Sequence, residues 1–517
     1  MSLGSVFSLV LRDERFDKFF QASDYLRKRL DRIRAERKQR GEKNVQPTFV
    51  DIEHSHTLFI HSAYRPYVST ASEYTRTKAS GDGTGSVGPS GGTLVFTLPV
   101  FGHFTSDMAL HIKFKPIGNA TAVAPPTPTT PFLRWCALPG LRLFKNVELK
   151  SDAVLIDDYT RDDAVARAKF FVDADELVGW ERCVGQQDVR EAAYYGNGFT
   201  GYLQYSDGFQ TPKLFHHGLE MIVPLDFWLC RDASQALLND LIPNTQRTVT
   251  CELAPLAELV KAQIFDPAAP NTLISTPLPF TTLGLEAALY VNGLYVNPEI
   301  HDIFASRIGF SLIRVHRRQR NQLQAPVDRF LLDQLKYPAE YLFVGFRARS
   351  LATDFDRWWL MGQPRARGPD AALVSPTFVW DPTLMMYKLS ARFATEVTSL
   401  DPVVSRVGVT AHGIEIYPHL PELFYNAYLP TRYAQNSMVV APRDSSALLV
   451  SFCLYPGKYA PSGYYNLSAG RELYLNYALR DSISDSFEIG DFEMVTSMSA
   501  LNFLVRRGDH CTLRYSL

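Results

Sequence analysis

The chain has 517 residues, of which 46% are hydrophobic, and a formal net charge of −1. This length and composition exclude a disordered tail or a fibre and suffice for about two or three domains with full cores. No run approaches the roughly 18 apolar residues that a membrane-spanning helix needs.

The N-terminus reads MSLGSVFSLVLRDERF and lacks the basic start of a secretory signal peptide. The six cysteines, which show no CxxC spacing, indicate neither a disulfide framework nor a zinc module; they are Cys136, Cys183, Cys230, Cys251, Cys453 and Cys511. We therefore expect a cytoplasmic site of synthesis, free thiols, and no glycan on the acceptor-like Asn119 and Asn466.

A basic helix is predicted near the N-terminus. Between Arg27 and Lys43 nine basic residues stand against three acidic ones, so this segment carries +6 and the rest of the chain −7. The candidate contact residues are Arg27, Lys28, Arg29, Arg32, Arg34, Arg37 and Lys38, with an apolar stripe of Leu26, Leu30 and Ile33 at helical spacing. Such a helix is either a solvated surface element or a docking arm for an acidic partner, an anionic lipid or a nucleic acid.

After Pro47 the hydrophobic period changes to two, as in Met108 to Phe114, which predicts half-buried β-strands. Similar short runs are predicted as strands at 94–98, 141–149, 221–229, 285–291, 308–315, 341–346, 407–416, 448–455 and 473–477. Many short strands without long helical patterns between them favour antiparallel sandwiches. We predict an arm at residues 1–47, a first sandwich at 48–262, a proline-rich linker at 263–282 and a second sandwich at 283–517.

Several segments match catalytic sequence motifs, but the secondary structure predicted around them, or the spacing of their residues, does not fit a catalytic site. Residues 83–88 match GxGxxG and residues 88–92 match GxSxG, yet a strand-like TLVFTLPVF follows where both motifs need a helix. A hairpin or surface loop is predicted there. His54, His56, His61 and the pair His216–His217 lack ligand spacing, so no metal site is predicted. The acidic residues around Arg161, which are Asp157, Asp158, Asp162 and Asp163, are interpreted as a solvated, internally paired loop.

Several longer segments of the sequence resemble a known protein family. LYVNGLYVNPEIHDIFASRIGFSLIRVHRRQ at 289–319, VTAHGIEIYPHLPELFYNAYLP at 409–430 and the tail SALNFLVRRGDHCTLRYSL resemble the major capsid proteins of African swine fever virus and asfarvirus-like nucleocytoplasmic large DNA viruses. So does YAPSGYYNLSAGRELYLNY at 459–477. The segment 161–215 looks shorter than the matching insertion of that family, which bears on the outer surface.

The resemblance implies an all-β double jelly roll, that is, two eight-stranded antiparallel β-sandwiches with a short N-terminal helical arm. It implies a structural protein without cofactor or enzymatic activity. Three chains would form a capsomer with a pseudo-hexagonal outline that tiles a large icosahedral shell. Pro461-Ser462-Gly463 would be a corner before a late strand, with Tyr474 and its neighbours packed inside the second sandwich.

The implied partners are two further copies in a homotrimer, neighbouring capsomers, minor capsid proteins and the inner viral membrane, the last through the basic arm, with no direct nucleic-acid contact. The implied location is the virion, after synthesis in the host cytoplasm. Two alternatives stay open: a minor double jelly-roll or membrane-scaffolding component, and a carbohydrate-binding β-sandwich protein.

Overall fold

The structure is a computed structural model of the chain. It describes residues 28, 30–41, 45–46, 70–80, 84–118, 131–152, 154–186, 209–210, 212–242, 246–265, 273–307, 309–366, 378–381, 386–389, 397–434, 438–442, 444–467, 472–484, 487–507 and 510–515. Two compact units are present, Met1–Thr70 and Ala71–Leu517.

The described helices are short, and most of them connect strands. In chain order they are α1 (30–39), α2 (Pro139–Arg142), α3 (Arg161–Phe171), α4 (Leu177–Cys183), α5 (Leu256–Leu259), α6 (Pro298–Arg307), α7 (Arg349–Thr353), α8 (Leu429–Ala434) and α9 (Asp481–Ser484). A π-helix, Phe424–Tyr428, leads into α8, and 3₁₀ turns lie at Trp228–Cys230, Ala233–Gln235 and Asn239–Leu241. No described helix has the length and apolar character that crossing a membrane requires.

The strands divide into two successive sets. The first set is β1 (Thr70–Lys78), β2 (Thr84–Val87), β3 (Gly92–Thr97), β4 (Phe104–Phe114), β5 (Ile117–Gly118), β6 (Phe132–Trp135), β7 (Phe144–Ser151), β8 (Val154–Thr160), β9 (Phe215–His216), β10 (Glu220–Pro224), β11 (Leu237–Leu238), β12 (Arg247–Leu253), β13 (Val260–Phe265), β14 (Leu273–Thr276) and β15 (Leu283–Val296).

The second set is β16 (Phe310–Gln322), β17 (Val327–Leu331), β18 (Pro338–Ala348), β19 (Gln363–Ala366), β20 (Phe378–Asp381), β21 (Met386–Leu389), β22 (Val397–Asp401), β23 (Val404–Ala411), β24 (Ile414–Pro421), β25 (Ala447–Ser451), β26 (Tyr465–Asn466), β27 (Leu473–Leu479), β28 (Phe492–Arg507) and β29 (His510–Leu513).

Each set builds one jelly roll from eight main strands. The first roll pairs the sheets β1–β15–β4–β10 and β3–β12–β7–β8. The second roll pairs β16–β28–β18–β25 and β17–β27–β23–β24. Counted along the chain within each roll, the strand order is 1-8-3-6 in one sheet and 2-7-4-5 in the other, both times. The predicted double jelly roll is therefore confirmed, with the same Greek-key order repeated in both rolls.

The position of β15 corrects the predicted sandwich boundary. Residues 283–296 were expected to begin the second sandwich, but Leu289 pairs with Leu110 of β4, so β15 is the last strand of the first roll. An apolar run alone does not show to which sheet a strand belongs. We therefore propose that the two rolls divide between Val296 and Phe310. The predicted linker also contains the end of β13 and all of β14, which pair with each other beside β6.

The cores follow the predicted alternation. In β4 the side chains of Met108, Leu110, Ile112 and Phe114 are buried, because they point between the two sheets of the first roll. Four predicted strands were too long. Residues 139–142 are helix α2, and the run at 221–229 becomes a 3₁₀ turn at Trp228. The run at 407–416 crosses the turn between β23 and β24, and the run at 448–455 extends beyond the end of β25 at Ser451. Proline and the need to turn a corner outweigh apolar content there.

The late corner of the second roll differs from expectation in one side chain. Gly463 takes a φ of +133°, as the predicted Pro-Ser-Gly corner requires. In β27 the inward residues are Leu473, Leu475 and Tyr477. Tyr474 lies on the opposite face under the Arg329 guanidinium, 4.9 Å from the ring centroid. The two-residue alternation places it outside the sandwich.

Candidate functional site: the junction between the two jelly rolls

The predicted arm residues belong to the N-terminal unit. Helix α1 leaves Leu30, Ile33 and Arg37 partly covered on one side, at helical spacing. Arg34 donates to Asp31 at 2.8 Å, and Arg37 donates to the Gln46 carbonyl at 2.9 Å. Exposed positions include Lys28, Arg32, Arg34 and Lys38. Leu26, Arg27 and Arg29 lie outside the described residues.

The glycine-rich stretch forms a tight turn between strands. Gly88 and Gly91 exchange backbone hydrogen bonds of 3.0 and 3.1 Å between β2 and β3. Gly91 has a φ of +95°, and a Cβ there would lie 2.1 Å from the Leu253 carbonyl oxygen. A strand follows this turn, whereas a phosphate-binding loop and a nucleophile elbow both require a helix there. The stretch therefore has the structure of neither motif.

The histidine and sequon positions that the structure describes offer no site either. His216 is buried, with Nε2 2.7 Å from the Leu133 carbonyl oxygen. Within the described part of the chain no cluster of three metal-ligating side chains occurs. His54, His56, His61 and Asn119 lie outside the described residues, and Asn466 is partly buried in β26. All six cysteines are unpaired, four of them buried.

Of the acidic residues around Arg161, Asp157, Asp162 and Asp163 are buried and Asp158 is partly buried, which corrects the predicted solvated loop. They lie at the end of β8 and in the first turn of α3, where Asp163 Oδ2 accepts from the Thr160 backbone N–H at 2.7 Å in a capping box. Their other partners come from the second roll. Arg318 pairs with Asp158, and Arg320 pairs with Asp162. The acids thus form one side of the junction between the two rolls.

His316 lies at the centre of this junction. Its backbone N–H and its Nδ1 contact the two carboxylate oxygens of Asp157 at 2.8 and 2.9 Å. Its Nε2 is 3.4 Å from Asp226 Oδ2 and 2.9 Å from Arg231 Nη2. Because two donors cannot share one hydrogen bond, a protonated ring uses Nε2–H toward Asp226 rather than toward Arg231.

The charge of His316 is set by these two carboxylates. Burial by itself lowers the pKa of the ring, but the charges and hydrogen bonds of Asp157 and Asp226 outweigh burial and raise the pKa from 6.5 to about 9. Arg167 lies 2.6 Å from Asp226. Burial opposes ionisation of Asp226, yet Arg167 and Arg231 hold the pKa of its carboxyl well below its usual range. His316 and Asp226 are therefore both charged at neutral pH.

A second buried group surrounds Arg347 of β18. Its guanidinium donates to Asp162 at 3.0 Å and to Glu493 of β28 at 2.8 Å. Burial acts to raise the pKa of Asp162, but Arg347 and Arg320 keep it below its usual range. Arg347 is 3% exposed. One arginine thus connects the first-roll helix α3 to two central strands of the second roll.

Further polar contacts surround this centre. Arg134 holds Asp356 through two hydrogen bonds of 2.5 and 2.9 Å, and Lys169 of α3 lies 2.6 Å from Asp444. Trp358 donates its indole N–H to the Ala137 carbonyl at 2.8 Å. Each of these contacts joins a residue before Val296 to a residue after Phe310. The junction is bonded along several separate elements.

Aromatic packing accompanies the charges. Phe170 of α3 stacks on Phe343 of β18 with ring centroids 4.9 Å apart. Because β18 faces its own core on one side and α3 on the other, it is buried from Pro338 to Arg347. Buried ion pairs are weak evidence for stability, but their geometry specifies one arrangement of the groups. The junction can therefore fix the angle between the rolls.

Comparison with known proteins gives this fold a family context. No family model matches the chain. The hexon protein p72 of African swine fever virus, isolate Tick/Malawi/Lil 20-1/1983, is 25% identical over the full length of both chains. The Kenyan isolate's major capsid protein matches equally, at 25%. The Faustovirus major capsid protein structure has 26% identity and a TM-score of 0.66, covering 96% of this chain and 100% of that one. The chain is similar to viral major capsid proteins over its full length.

A more distant structure has the same fold. The capsid of PBCV-1 matches with a TM-score of 0.59 at 16% identity, covering 89% of this chain and 100% of its own. The alignment with p72 of the Tick/Malawi isolate runs over 657 positions, against 517 residues in this chain. Since the alignment covers all 517 residues of this chain, 140 of its 657 positions are gaps in this chain.

Sequence reasoning located the acidic side of the junction but missed its basic side. Arg318 lies near the end of the quoted segment 289–319 and Arg320 directly follows that segment; the two arginines are two residues apart and therefore share one face of a strand. Like charges that repeat along one face of a strand require buried partners or solvent. This was the signal available in the sequence for a polar junction.

Proposed function

We propose that the chain is the main shell subunit of a large icosahedral double-stranded DNA virus, in which three copies form a capsomer with a pseudo-hexagonal outline. The observation that carries this proposal is the repetition of one jelly roll in one chain, joined by a rigid junction that uses different surfaces of the two rolls. The chain's similarity to capsid proteins over its full length supports it.

The junction joins two different surfaces, and the same contact repeated between chains can close a ring of jelly rolls. A contact in which surface A of one unit meets surface B of the next is heterologous, and its repetition closes into a ring if the rotation permits. In this chain β8 and α3 of the first roll meet β16, β18 and β28 of the second. The same step repeated between chains gives a ring of six rolls from three chains. Because the junction fixes the angle between the two rolls of one chain, it favours a ring with one particular number of rolls.

The arm gives the capsomer an inner attachment in this proposal. The exposed cations Arg32, Arg34 and Lys38 of α1 suit acidic groups of minor capsid proteins or anionic headgroups of an inner membrane. Each cation near a lipid surface contributes about 1 kcal/mol. The partly covered Leu30 and Ile33 provide an apolar stripe for the same contact. Direct binding of nucleic acid is not part of the proposal.

We assign the chain a structural role in the virion, after synthesis in the host cytoplasm, and no enzymatic activity. The full-length similarity to capsid proteins supports the structural role. Abundance separates this assignment from that of a minor capsid component. In purified virions the chain should be the dominant protein band on a gel, whereas a faint band would favour the minor role.

The oligomeric state is the direct test. Purified chain should sediment as a trimer in analytical ultracentrifugation and show a hexagonal outline by electron microscopy. A folded monomer at micromolar concentration would contradict the proposal. Dissociation should expose apolar surface and promote aggregation.

The arm is tested separately. Deleting residues 1–40 should leave trimers intact and impair shell assembly. Replacing Arg27, Arg29, Arg34 and Arg37 by Glu should do the same, with a defect that depends on salt because surface charges are screened. The same four positions changed to Lys keep the charge and serve as the control. Shells of full stability from the deleted chain would refute the anchoring role.

A further inference from the structure

A buried lysine and a buried aspartate from different rolls meet in the junction. Lys169 belongs to α3 of the first roll, and Asp444 lies shortly before β25 of the second. The Lys169 Nζ is 2.6 Å from Asp444 Oδ2, and the two side chains are 8% and 3% exposed. Lysine and aspartate are almost never buried to this degree unless they are paired. The junction therefore holds an amine and a carboxyl in direct contact and shielded from water.

The contact brings the two reacting atoms of an amide bond close together. Because a C–O bond adds only about 1.2 Å, the Asp444 carboxyl carbon lies within about 3.8 Å of Lys169 Nζ. Reacting groups held about 3–3.5 Å apart in a fixed orientation can reach effective molarities of about 10⁵–10⁸ M. The Trp359 ring, whose centroid is 4.7 Å from Nζ, covers the amine. The fold thus keeps this pair near the geometry from which an amine attacks a carboxyl carbon.

Two backbone amides are directed at the carboxyl oxygens. The Met361 N–H donates to Asp444 Oδ2 at 2.5 Å, and the Gly362 N–H donates to Oδ1 at 2.6 Å. Attack on the carboxyl carbon makes a tetrahedral intermediate with negative charge on an oxygen, and fixed N–H donors in a site without water stabilise such charge. The same donors also suit an ordinary ion pair. A further group is therefore needed to distinguish a reactive pair from a structural one.

Glu422 is that further group, and Asn426 of the same segment holds this segment beside Asp444 by donating to the Asp444 carbonyl at 2.8 Å. Glu422 is 7% exposed, and its Oε1 has no hydrogen-bond partner among the residues that the structure describes. Burial raises the pKa of its carboxyl to about 7 against the opposing charge of Arg480, and the charge of Asp444 acts in the same direction as burial. Glu422 therefore exchanges a proton near neutral pH, as an efficient general acid and base does. An ion pair between Lys169 and Asp444 alone gives no reason for a second buried carboxyl here.

From these contacts we propose that Lys169 and Asp444 condense to an isopeptide bond, with Glu422 carrying the protons, so that the two jelly rolls of one chain become covalently joined. The ammonium first gives a proton through Glu422 to the carboxylate. The neutral amine then attacks the carboxyl carbon, a C–N bond forms, one C–O bond breaks, and the leaving hydroxyl takes a second amine proton through Glu422. The products are a neutral amide and one water, so atoms and charge balance without a cofactor, and Glu422 ends as it began.

Space for the leaving water adjoins the pair. A small cavity beside the Lys169 side chain is lined by apolar Phe170 and Met361 and by polar Asp162 and Ser497, and polar walls allow a cavity to hold a water. The bond closes a loop between two positions 275 residues apart, and a cross-link across a long loop restricts the unfolded chain. The inference concerns a single chain, so it does not depend on the proposed capsomer.

Mass spectrometry of the purified full-length chain tests the bond. After the folded chain has stood at neutral pH for several days, its intact mass should be about 18 Da below the sequence mass, because one water is lost. A tryptic digest should contain a branched peptide that joins 168–182 to 444–458, since trypsin does not cut after an acylated Lys169. Hydroxylamine should leave this branch intact, which excludes a succinimide as the source of the mass loss. The exposed pair of Lys150 and Glu148, also in contact at 2.5 Å, is the matched control and should give no branch.

Two variants separate the roles of the residues. Lys169→Arg keeps the cation but removes the amine, so the variant should have its full sequence mass and no branched peptide. Glu422→Gln should form the branch about 100-fold more slowly or less, since general acid–base catalysis contributes about 10²–10⁴-fold. Tryptophan fluorescence verifies that both variants remain folded.

The parent chain decides by itself. Its full sequence mass, together with separate peptides 170–182 and 444–458 from the folded chain, would overturn the proposal. A branch that forms equally fast in Glu422→Gln would overturn the role of Glu422 as the proton carrier.

Discussion

The pH dependence of the junction follows from His316 and can be worked out in size. Asp157 and Asp226 raise the pKa of His316 from 6.5 to about 9. Each pKa unit corresponds to about 1.4 kcal/mol, so the protonated ring contributes about 3 kcal/mol to folding. Since the folded-state pKa is the raised one, this contribution is fully present below about pH 6.5 and is lost as pH rises through about 9.

His316→Gln removes the titration while retaining a polar side chain. Urea unfolding of the parent and the variant, followed by the fluorescence of Trp358 and the other tryptophans, should be compared at several pH values from 6 to 10. The stability difference between the two chains should be largest at pH 6 and should decrease by about 3 kcal/mol by pH 10. Other titrating groups cancel in this difference. A difference that stays constant across the range would refute the assignment of a charged His316.

Three further predictions concern other parts of the molecule. Arg347→Met should lower the free energy of unfolding in urea by about 3–5 kcal/mol, because Asp162 and Glu493 then stay buried without the arginine that they share. The triple variant that also carries Asp162→Leu and Glu493→Leu should lose less stability, and equal losses would contradict this reasoning. Gly91→Ala should lower the melting temperature far more than Gly413→Ala, since both have positive φ but only Gly91 also meets a backbone oxygen at 2.1 Å; similar losses would show that the contact relaxes. Intact-mass spectrometry without reductant should find six free thiols and no hexose on Asn119 or Asn466; a loss of two daltons per cysteine pair, or a hexose ladder, would contradict it.

The strand pattern was predictable because it depends on local alternation. Most predicted runs coincide with a strand of the structure, for example Met108–Phe114 within β4 and Leu473–Tyr477 within β27. Alternation fixes which side chains point inward but does not identify the sheet partner. This is why β15 was expected in the second roll, although its hydrogen bonds go to β4.

The junction was less predictable because its two sides are far apart in sequence. Asp162 and Arg320 are 158 residues apart. The residues next to an aspartate in sequence do not show whether its side chain is solvated or pairs with an arginine far away in sequence. Helix α3 was missed because its sequence RDDAVARAKFF lacks a clear apolar stripe. Its buried residues are Asp162, Asp163, Val165, Ala166 and Phe170, and charged partners on the second roll make the burial of Asp162 possible.

The placement of the closing strands has a consequence for synthesis. The first roll is complete once β15 has left the ribosome, at Val296, whereas the second roll needs β28, which ends more than 200 residues later, at Arg507. Domains generally fold as units in the order of translation. The nascent chain therefore holds a finished first roll with Asp157, Asp158 and Asp162 still hydrated until β16 arrives. Truncation before β28 should leave a soluble N-terminal half whose acidic surface has no partner, while the C-terminal half fails to close.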